Sequence, residues 1–365
     1  MTPPLHLAGA PLPVVGRARI YTCGITPYDT THLGHAATFV WADVAARVLR
    51  RLGVAVESCR NVTDVDDVLD AAAERAGRRS ESFAAVGQFR FDHDMAALGV
   101  RPPTHEPRAH NHVDGVVTLA TALLAHGVAY ERDGEVLLRA SSVGLDVVDT
   151  DTDTDPDASR TPPSSRGDDP RDAVVWRPAA PGEAAWPSPW GAGRPGWHAE
   201  CAAMALTVLG PAVDLLVGGA DLRHPHHAHQ AAMAEAVTGV RPFARSRLHV
   251  GTVRVDGAKM AKSAGNLVLV ADLLEHHPAA AVRLLVLDRP WAQAWDVRPG
   301  DLDAATARLE GLYAAASRSN AGSPLAAEAV VEVLCDDLDV PAALALAESE
   351  GGAAARTVLA VLGLN

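Results

Sequence analysis

Lysine is almost missing from this chain. Of 32 basic residues only two are lysine, Lys259 and Lys262, and they stand three positions apart in one loop. Long apolar runs are missing too. No stretch of about 18 apolar residues occurs, so no membrane-spanning helix is expected. The opening residues, MTPPLHLAGAPLPVVG, lack a basic segment leading into a long apolar one. No secretory signal is indicated, and a cytoplasmic protein is expected. Cysteine is sparse: Cys23, Cys59, Cys201 and Cys335 are far apart, which in a cytosolic chain points to metal ligation or packing before disulfides. Positive charge is short as well. The net charge of −13 offers little to a nucleic-acid backbone, so no nucleic-acid partner is expected.

What remains is an ordinary globular composition, 48 % hydrophobic and 21 % charged over 365 residues, enough for two or three domains. The densest stretch is Tyr21 to Phe39, YTCGITPYDTTHLGHAATF. A strand over Arg19–Thr22 leads to Cys23, a polar turn from Gly24 to Thr31, and a helix that the apolar period carries to about Leu52, with Gly53 as its stop. Val54–Val62 reads as a second strand, so the unit is βαβ with a parallel sheet. Its end, Asn61-Val62-Thr63-Asp64, puts polar groups where open α/β sheets bind ligands. Helices are expected at Val68–Ala76, Ser82–Leu98 and Ala109–His126. Asp133-Gly134 marks a hairpin within Val128–Leu138.

Residues 146–172 are acidic and rich in proline and serine, with too little apolar surface to order most of them. Order resumes at Val174–Arg177. A helix from about His198 carries Cys201, Val213–Val217 reads as a buried strand, and His224, His226, His227 and His229 open the next helix. One strand is expected over Leu248–Val255, then the lysine loop, then a helical bundle from Asp301. The expected division is 1–125 and 173–299 as two halves of a catalytic domain, 126–172 as an insertion, and 300–365 as the bundle.

Three constellations carry chemistry. His32 and His35 sit three apart at a helix start, where unpaired N–H groups and the positive dipole end attract anions; the plain alternative is two exposed helix residues. Lys259 and Lys262 flank a small flexible loop able to swing onto a polyphosphate. A solvated basic turn is the plain alternative, but the absence of lysine elsewhere favours a task. Cys23, Cys201 and His226 form a set that suits zinc with one position open, although no spacing rule joins residues so far apart. Cys59 and Cys335 read as core thiols, and the histidine cluster offers a separate, adventitious metal site.

CGITPYDTTHLGH, NVTDVDD, GWHAECAAMA, GGADLRHPHHAH and KMAKSAGN occur in an order and spacing that resemble the class I cysteinyl-tRNA synthetase superfamily. Within it, the closest likeness is to the branch of cysteine ligases of mycothiol biosynthesis, which join cysteine to glucosaminyl-inositol. The likeness covers about residues 18 to 345. It implies an α/β fold with a Rossmann-like parallel-sheet catalytic domain, an inserted subdomain and a C-terminal helical bundle. It implies an AMP-forming ligase in which ATP with Mg²⁺ and cysteine yield cysteinyl-adenylate and pyrophosphate before an amine displaces AMP.

Carried over, Cys23, Cys201 and His226 would hold Zn²⁺, with the substrate thiolate as fourth ligand. Gly24, Ile25, Thr26, Asn61, Val62, Thr63 and Trp197 would bind the amino acid and adenylate. Thr38, Gly219, Ala220, Asp221 and Val253 would meet the nucleotide. His32, His35, Lys259 and Lys262 would act on the phosphates. Two departures stand out. Gln230 occupies the place of the glutamate that is the tRNA synthetases' fourth zinc ligand, and the mycothiol branch lacks that glutamate too. Ala261 replaces the first serine of the KMSKS-type loop, worth roughly 0.5–1.5 kcal/mol for one hydroxyl. A short, acidic tail and the charge of −13 favour a small amine over tRNA, and a monomer is expected. The alternatives are a paralog using another amine, a cysteinyl-tRNA synthetase-like protein, or a catalytically silent binding protein.

Overall fold

The computed structural model describes residues 4–28, 30–145, 167–261, 264–318 and 324–365. At its centre lie four parallel strands in the order Ala244–Val250, Val213–Gly219, Arg17–Ile25, Ala55–Val62. Val213–Gly219 is buried along almost its whole length, and the other three are buried chiefly past their opening residues, with helices on both faces. Helix α1 (Leu33–Arg51) packs Val40, Trp41, Val44 and Val48 with Ile20, Leu215, Val217 and Leu248 on one side. On the other, Met204 and Ala205 of the helix Trp197–Leu209 join Tyr21, Cys59 and Leu216. The chain begins in the middle, builds outward to 55–62, then returns to build outward on the other side. Strands 17–25 and 213–219 therefore border the switch point, and their carboxyl ends open the crevice where such sheets bind ligands.

Local chemistry explains most boundaries. Leu52 caps α1 and Gly53 follows at φ +80°, a left-handed turn that glycine takes without strain. Asp133 and Gly134, at φ +53° and +81°, close an antiparallel hairpin between Ala129–Arg132 and Glu135–Leu138. That hairpin pairs onward with Ala173–Pro178 and Gly193–Pro195 in a second, antiparallel sheet. Helices occupy Asp67–Arg75, Ser80–Ala97 and Val113–Ala125, the last preceded by a tight turn at Ala109–Asn111.

Two expectations are corrected, and a third falls largely outside the described residues. The first strand runs to Ile25, through a register shift after Thr22, so Cys23 and Gly24 belong to the sheet and not to the following turn. The strand expected over Leu248–Val255 is two strands. It breaks at Gly251, where a Cβ would stand 2.2 Å from the Gln293 carbonyl, and Val253–Val255 enters a small separate sheet. The acidic segment lies largely outside the described residues, but its far end is fixed. Tyr130 Oη donates to Asp172 at 2.7 Å, and Arg132 and Arg139 hold Asp168.

Four helices, Asp301–Ala316, Pro324–Cys335, Val340–Glu350 and Gly352–Leu362, form the C-terminal bundle against α1 and the helix Ala279–Leu287. A fully buried arginine joins them. Arg283 pairs with Asp43 of α1, and donates to the carbonyls of Leu362 (2.5 Å) and Leu98 (3.1 Å). No described helix is long and apolar enough to cross a membrane. Asp43→Ala would leave that guanidinium buried without its counter-charge. Equilibrium unfolding should show a loss of about 3–5 kcal/mol, recovered in large part by adding Arg283→Met.

Candidate active site

Three separate elements deliver the metal-type ligands. Cys23 comes from the end of the first strand, Cys201 from the helix Trp197–Leu209, and His226 from the irregular turn Arg223–His227. Their ligand atoms lie within 4.8 Å of one another, and all three residues are buried. The surroundings shape this set. His226 Nδ1 is 2.9 Å from His198 Nδ1, which leaves Nε2, also buried, as the ring nitrogen available for a ligand. Trp197 stacks on the His226 ring at 4.0 Å. Asn61 Nδ2 donates to Cys201 Sγ at 3.5 Å, and its Oδ1 accepts from Gly24 N at 3.0 Å. His227 Nε2 lies 3.1 Å from Cys23 Sγ and its Nδ1 lies 2.9 Å from His249 Nε2.

Burial governs the charge state here. It raises the Cys23 thiol well above its ordinary value, with the hydrogen bond to Cys201 adding to the rise. It lowers His198 and His227, and brings His249 down to about 3. Two thiols and an imidazole facing one another in a buried space are the donor set that a zinc ion takes up with release of protons, so the residues present fit that metal. Gln230 stands where a fourth protein ligand would. Its Oε1 accepts from Cys23 Sγ at 3.8 Å, and an amide oxygen there adds no charge. Of the four histidines in the cluster around it, among the described residues only His226 joins a metal-type donor group. His227 serves Cys23, and His229 faces the carbonyls of Pro225 and Arg171. Cys59 and Cys335 are buried free thiols outside the donor set; Cys59 packs in the same core as Cys23 and Cys201, and burial pushes it to about 12.

At the other end of the cleft the first turn of α1 differs from expectation. Its N–H groups are not open to an anion. Leu33 N donates to Val268 O at 2.8 Å, Ala36 N to His32 O at 3.1 Å, and Gly34 N and His35 N to His32 Nδ1 at 3.1 and 3.4 Å. His32 is thus the N-cap, with its ring folded over the helix end. A Cβ on Gly34 would stand 2.9 Å from that ring, so a side chain there would push the cap aside. Because Nδ1 accepts, Nε2 must carry the proton, so His32 is held as a donor. His35 stacks on it at 3.8 Å. An anion at this end meets imidazole N–H groups in place of backbone ones.

Lys259 Nζ donates to Asp221 at 2.9 Å, joining the lysine loop to the strand end Val213–Gly219. Gly219 leaves room for this, since a Cβ there would stand 2.3 Å from Asp221 Oδ1. Asn266 braces the loop, accepting from Ala261 N at 2.9 Å and donating to Lys259 O at 3.1 Å. Lys262 lies outside the described residues. Cys23, Cys201, His226, Asn61, Trp197, His32, His35, Gly219, Asp221 and Lys259 line one cleft of about 190 Å³, which also takes in Gly24, Ile25, Thr26, Thr38, Thr63, Ala220 and Val253. Val62 does not line it; its side chain is buried beside it. The sequence did not single out His198, His249, Met260 or Phe91, whose places depend on tertiary packing.

Solved structures share this architecture. Methionyl-tRNA synthetase of Mycobacterium tuberculosis in complex with methionyl-adenylate matches with a TM-score of 0.67 at 17 % identity, over 96 % of this chain and 82 % of that one. A putative arginyl-tRNA synthetase of Campylobacter jejuni matches with 0.61 at 15 %, over 95 % and 90 %. The fold is that of the class I synthetases. The family described as tRNA synthetases class I (C) catalytic domain matches residues 13–307, and the chain belongs to it. Among curated relatives, the cysteine–tRNA ligase of Rhodospirillum rubrum is 41 % identical over 90 % of this chain and 73 % of its own length. The L-cysteine:1D-myo-inositol 2-amino-2-deoxy-alpha-D-glucopyranoside ligase of Acidothermus cellulolyticus is 44 % identical over 90 % and 83 %. The chain is an ATP-dependent, AMP-forming carbon–nitrogen ligase.

His32 caps α1, and its proposed task of donating to phosphate can be tested separately. Asn in its place keeps a cap acceptor and removes the Nε2–H. His32→Asn should hold unfolding free energy within about 0.5 kcal/mol while ATP–pyrophosphate exchange falls roughly 10²–10³-fold. A parallel loss of stability and rate would reduce the residue to a cap.

Proposed function

We propose that this enzyme activates L-cysteine as cysteinyl-adenylate and transfers it to a small amine, glucosaminyl-inositol, as in mycothiol biosynthesis. The observation that carries the reading is the joining of a Cys23, Cys201 and His226 donor set to a His32, His35 and Lys259 phosphate end within one cleft. The amino acid would enter beside Trp197 and Asn61, and the nucleotide would lie along Thr38, Gly219–Asp221 and Val253, with Asp221 facing ribose hydroxyls. Zinc held by the trio supplies a soft Lewis acid that separates a thiol from the hydroxyl of serine, a discrimination that shape alone cannot make between near-isosteres.

The remaining chemistry falls to the chain's own groups. His32 and His35 donate to phosphate oxygens as pyrophosphate departs. Lys259, released from Asp221 when the nucleotide arrives, neutralises the charge that builds there, with Lys262 and Mg²⁺ assisting. Asn266 keeps the loop shaped despite Ala261. The acceptor amine then attacks the adenylate carbonyl and AMP leaves. The small acceptor is supported by the charge of −13 and by relatives such as that of Acidothermus cellulolyticus. A second reading, transfer to tRNA, is supported by relatives such as that of Rhodospirillum rubrum. Action in the cytoplasm as a monomer, and the division into two catalytic halves, an insertion and a helical bundle, are parts of this proposal.

The test is ATP–pyrophosphate exchange, followed by product analysis with glucosaminyl-inositol and with tRNA. Exchange should require cysteine, fall about a hundredfold on zinc chelation and return with zinc. The amide of glucosaminyl-inositol should then form. Charging of tRNA in its place would establish the second reading, and no exchange with cysteine would overturn both.

A further inference from the structure

At the opposite end of α1 from the cleft, roughly 28 Å away for a helix of 19 residues, lies a second cavity of about 480 Å³. Arg47, Arg50 and Arg51 of α1, Arg101 of the loop before residue 104, and Arg356 of the helix Gly352–Leu362 line it, with small side chains of that last helix as its floor. Two arginines in the last turn of a helix are common, since they offset its negative end. Five guanidinium groups gathered from three elements in a chain of net charge −13 exceed that need.

Their counter-charges are already spent. Asp43 pairs with the buried Arg283 and with Arg47 at 2.6 Å, and also accepts from Arg101 N. Among the described residues no carboxylate lies within ion-pair distance of Arg50, Arg51, Arg101 or Arg356. Arg47 is further fixed by its bond to Gly99 O at 2.8 Å, and Arg356 by its bond to Ala316 O at 2.7 Å. Burial lowers Arg50, the neighbouring charges of Arg101 and Arg47 lower it further, and Asp43 offsets part of this. Rigid helices thus hold several fork-shaped donors around a concave space.

We propose that this cavity is a binding site for a small polyphosphate-type anion, separate from the catalytic cleft. Guanidinium forks match phosphoryl oxygens two at a time. The volume suits a ligand of nucleotide size or smaller, and the acidic balance of the rest of the chain disfavours a long nucleic acid.

Inorganic tripolyphosphate is the probe, titrated calorimetrically into the full chain at low ionic strength. Because the catalytic cleft also takes phosphates, Arg50→Gln/Arg101→Gln is compared with Lys259→Ala. The site predicts binding that weakens at least about tenfold in the double arginine variant, persists in Lys259→Ala, and weakens with salt. Exchange activity of the double variant without tripolyphosphate should equal that of the parent, which also reports that it is folded. The exposed Arg356→Gln provides a milder variant with a smaller loss in the same direction. Unchanged binding in the arginine variants, or loss confined to Lys259→Ala, overturns the proposal. Tighter binding of a single-stranded oligonucleotide lost in the same arginine variants would overturn it in favour of a nucleic-acid surface.

Discussion

The site depends on one close approach between two backbones. Gly24 lies so near the neighbouring strand that a Cβ would stand 1.7 Å from the Asn61 carbonyl oxygen. That contact lets Asn61 reach Gly24 N with one side-chain atom and Cys201 Sγ with another. A single amide thus fixes the strand carrying Cys23 relative to the helix carrying Cys201. The register shift after Thr22 is the local distortion that makes room for it. Without this approach, the two thiols have no reason to face one another.

Around that point the polar groups divide by burial. The end with the Cys23, Cys201 and His226 donor set is buried, and burial lowers the flanking His198, His227 and His249. Charges kept there would cost heavily without partners. The end that meets phosphate is wetter and carries formal charge, in the partly exposed pair of Lys259 and Asp221. On the proposed function, selection by a soft metal and stabilisation of phosphorus would therefore share one cleft without their electrostatics conflicting. α1 spans between this phosphate end and the arginine-lined cavity, and Arg283 locks its middle to the C-terminal bundle.

Much of this was legible in the sequence. α1 announces itself by its apolar period and by Gly53, and the hairpin by Asp133-Gly134, because those signals are local. The lysine loop stood out because lysine is absent elsewhere. The trio was legible only through resemblance, since Cys23, Cys201 and His226 come from three elements with no spacing rule. The capping by His32 was missed because a side chain folding back on its own helix competes with the anion that such an end usually attracts. The break at Gly251 was missed for a related reason, as the obstacle is the carbonyl of Gln293, distant in sequence. Neither His198 nor His249 gives any periodic signal; their roles follow from ring contacts alone.

The central claim is that the buried trio binds zinc and reads the substrate through sulfur. X-ray absorption at the zinc edge tests it most directly, on protein loaded with one equivalent of metal before and after substrate. The account predicts sulfur scattering from two cysteines in the free protein, rising to three sulfurs with cysteine present and unchanged with serine. Metal bound without sulfur, or a sulfur count indifferent to cysteine, would contradict it.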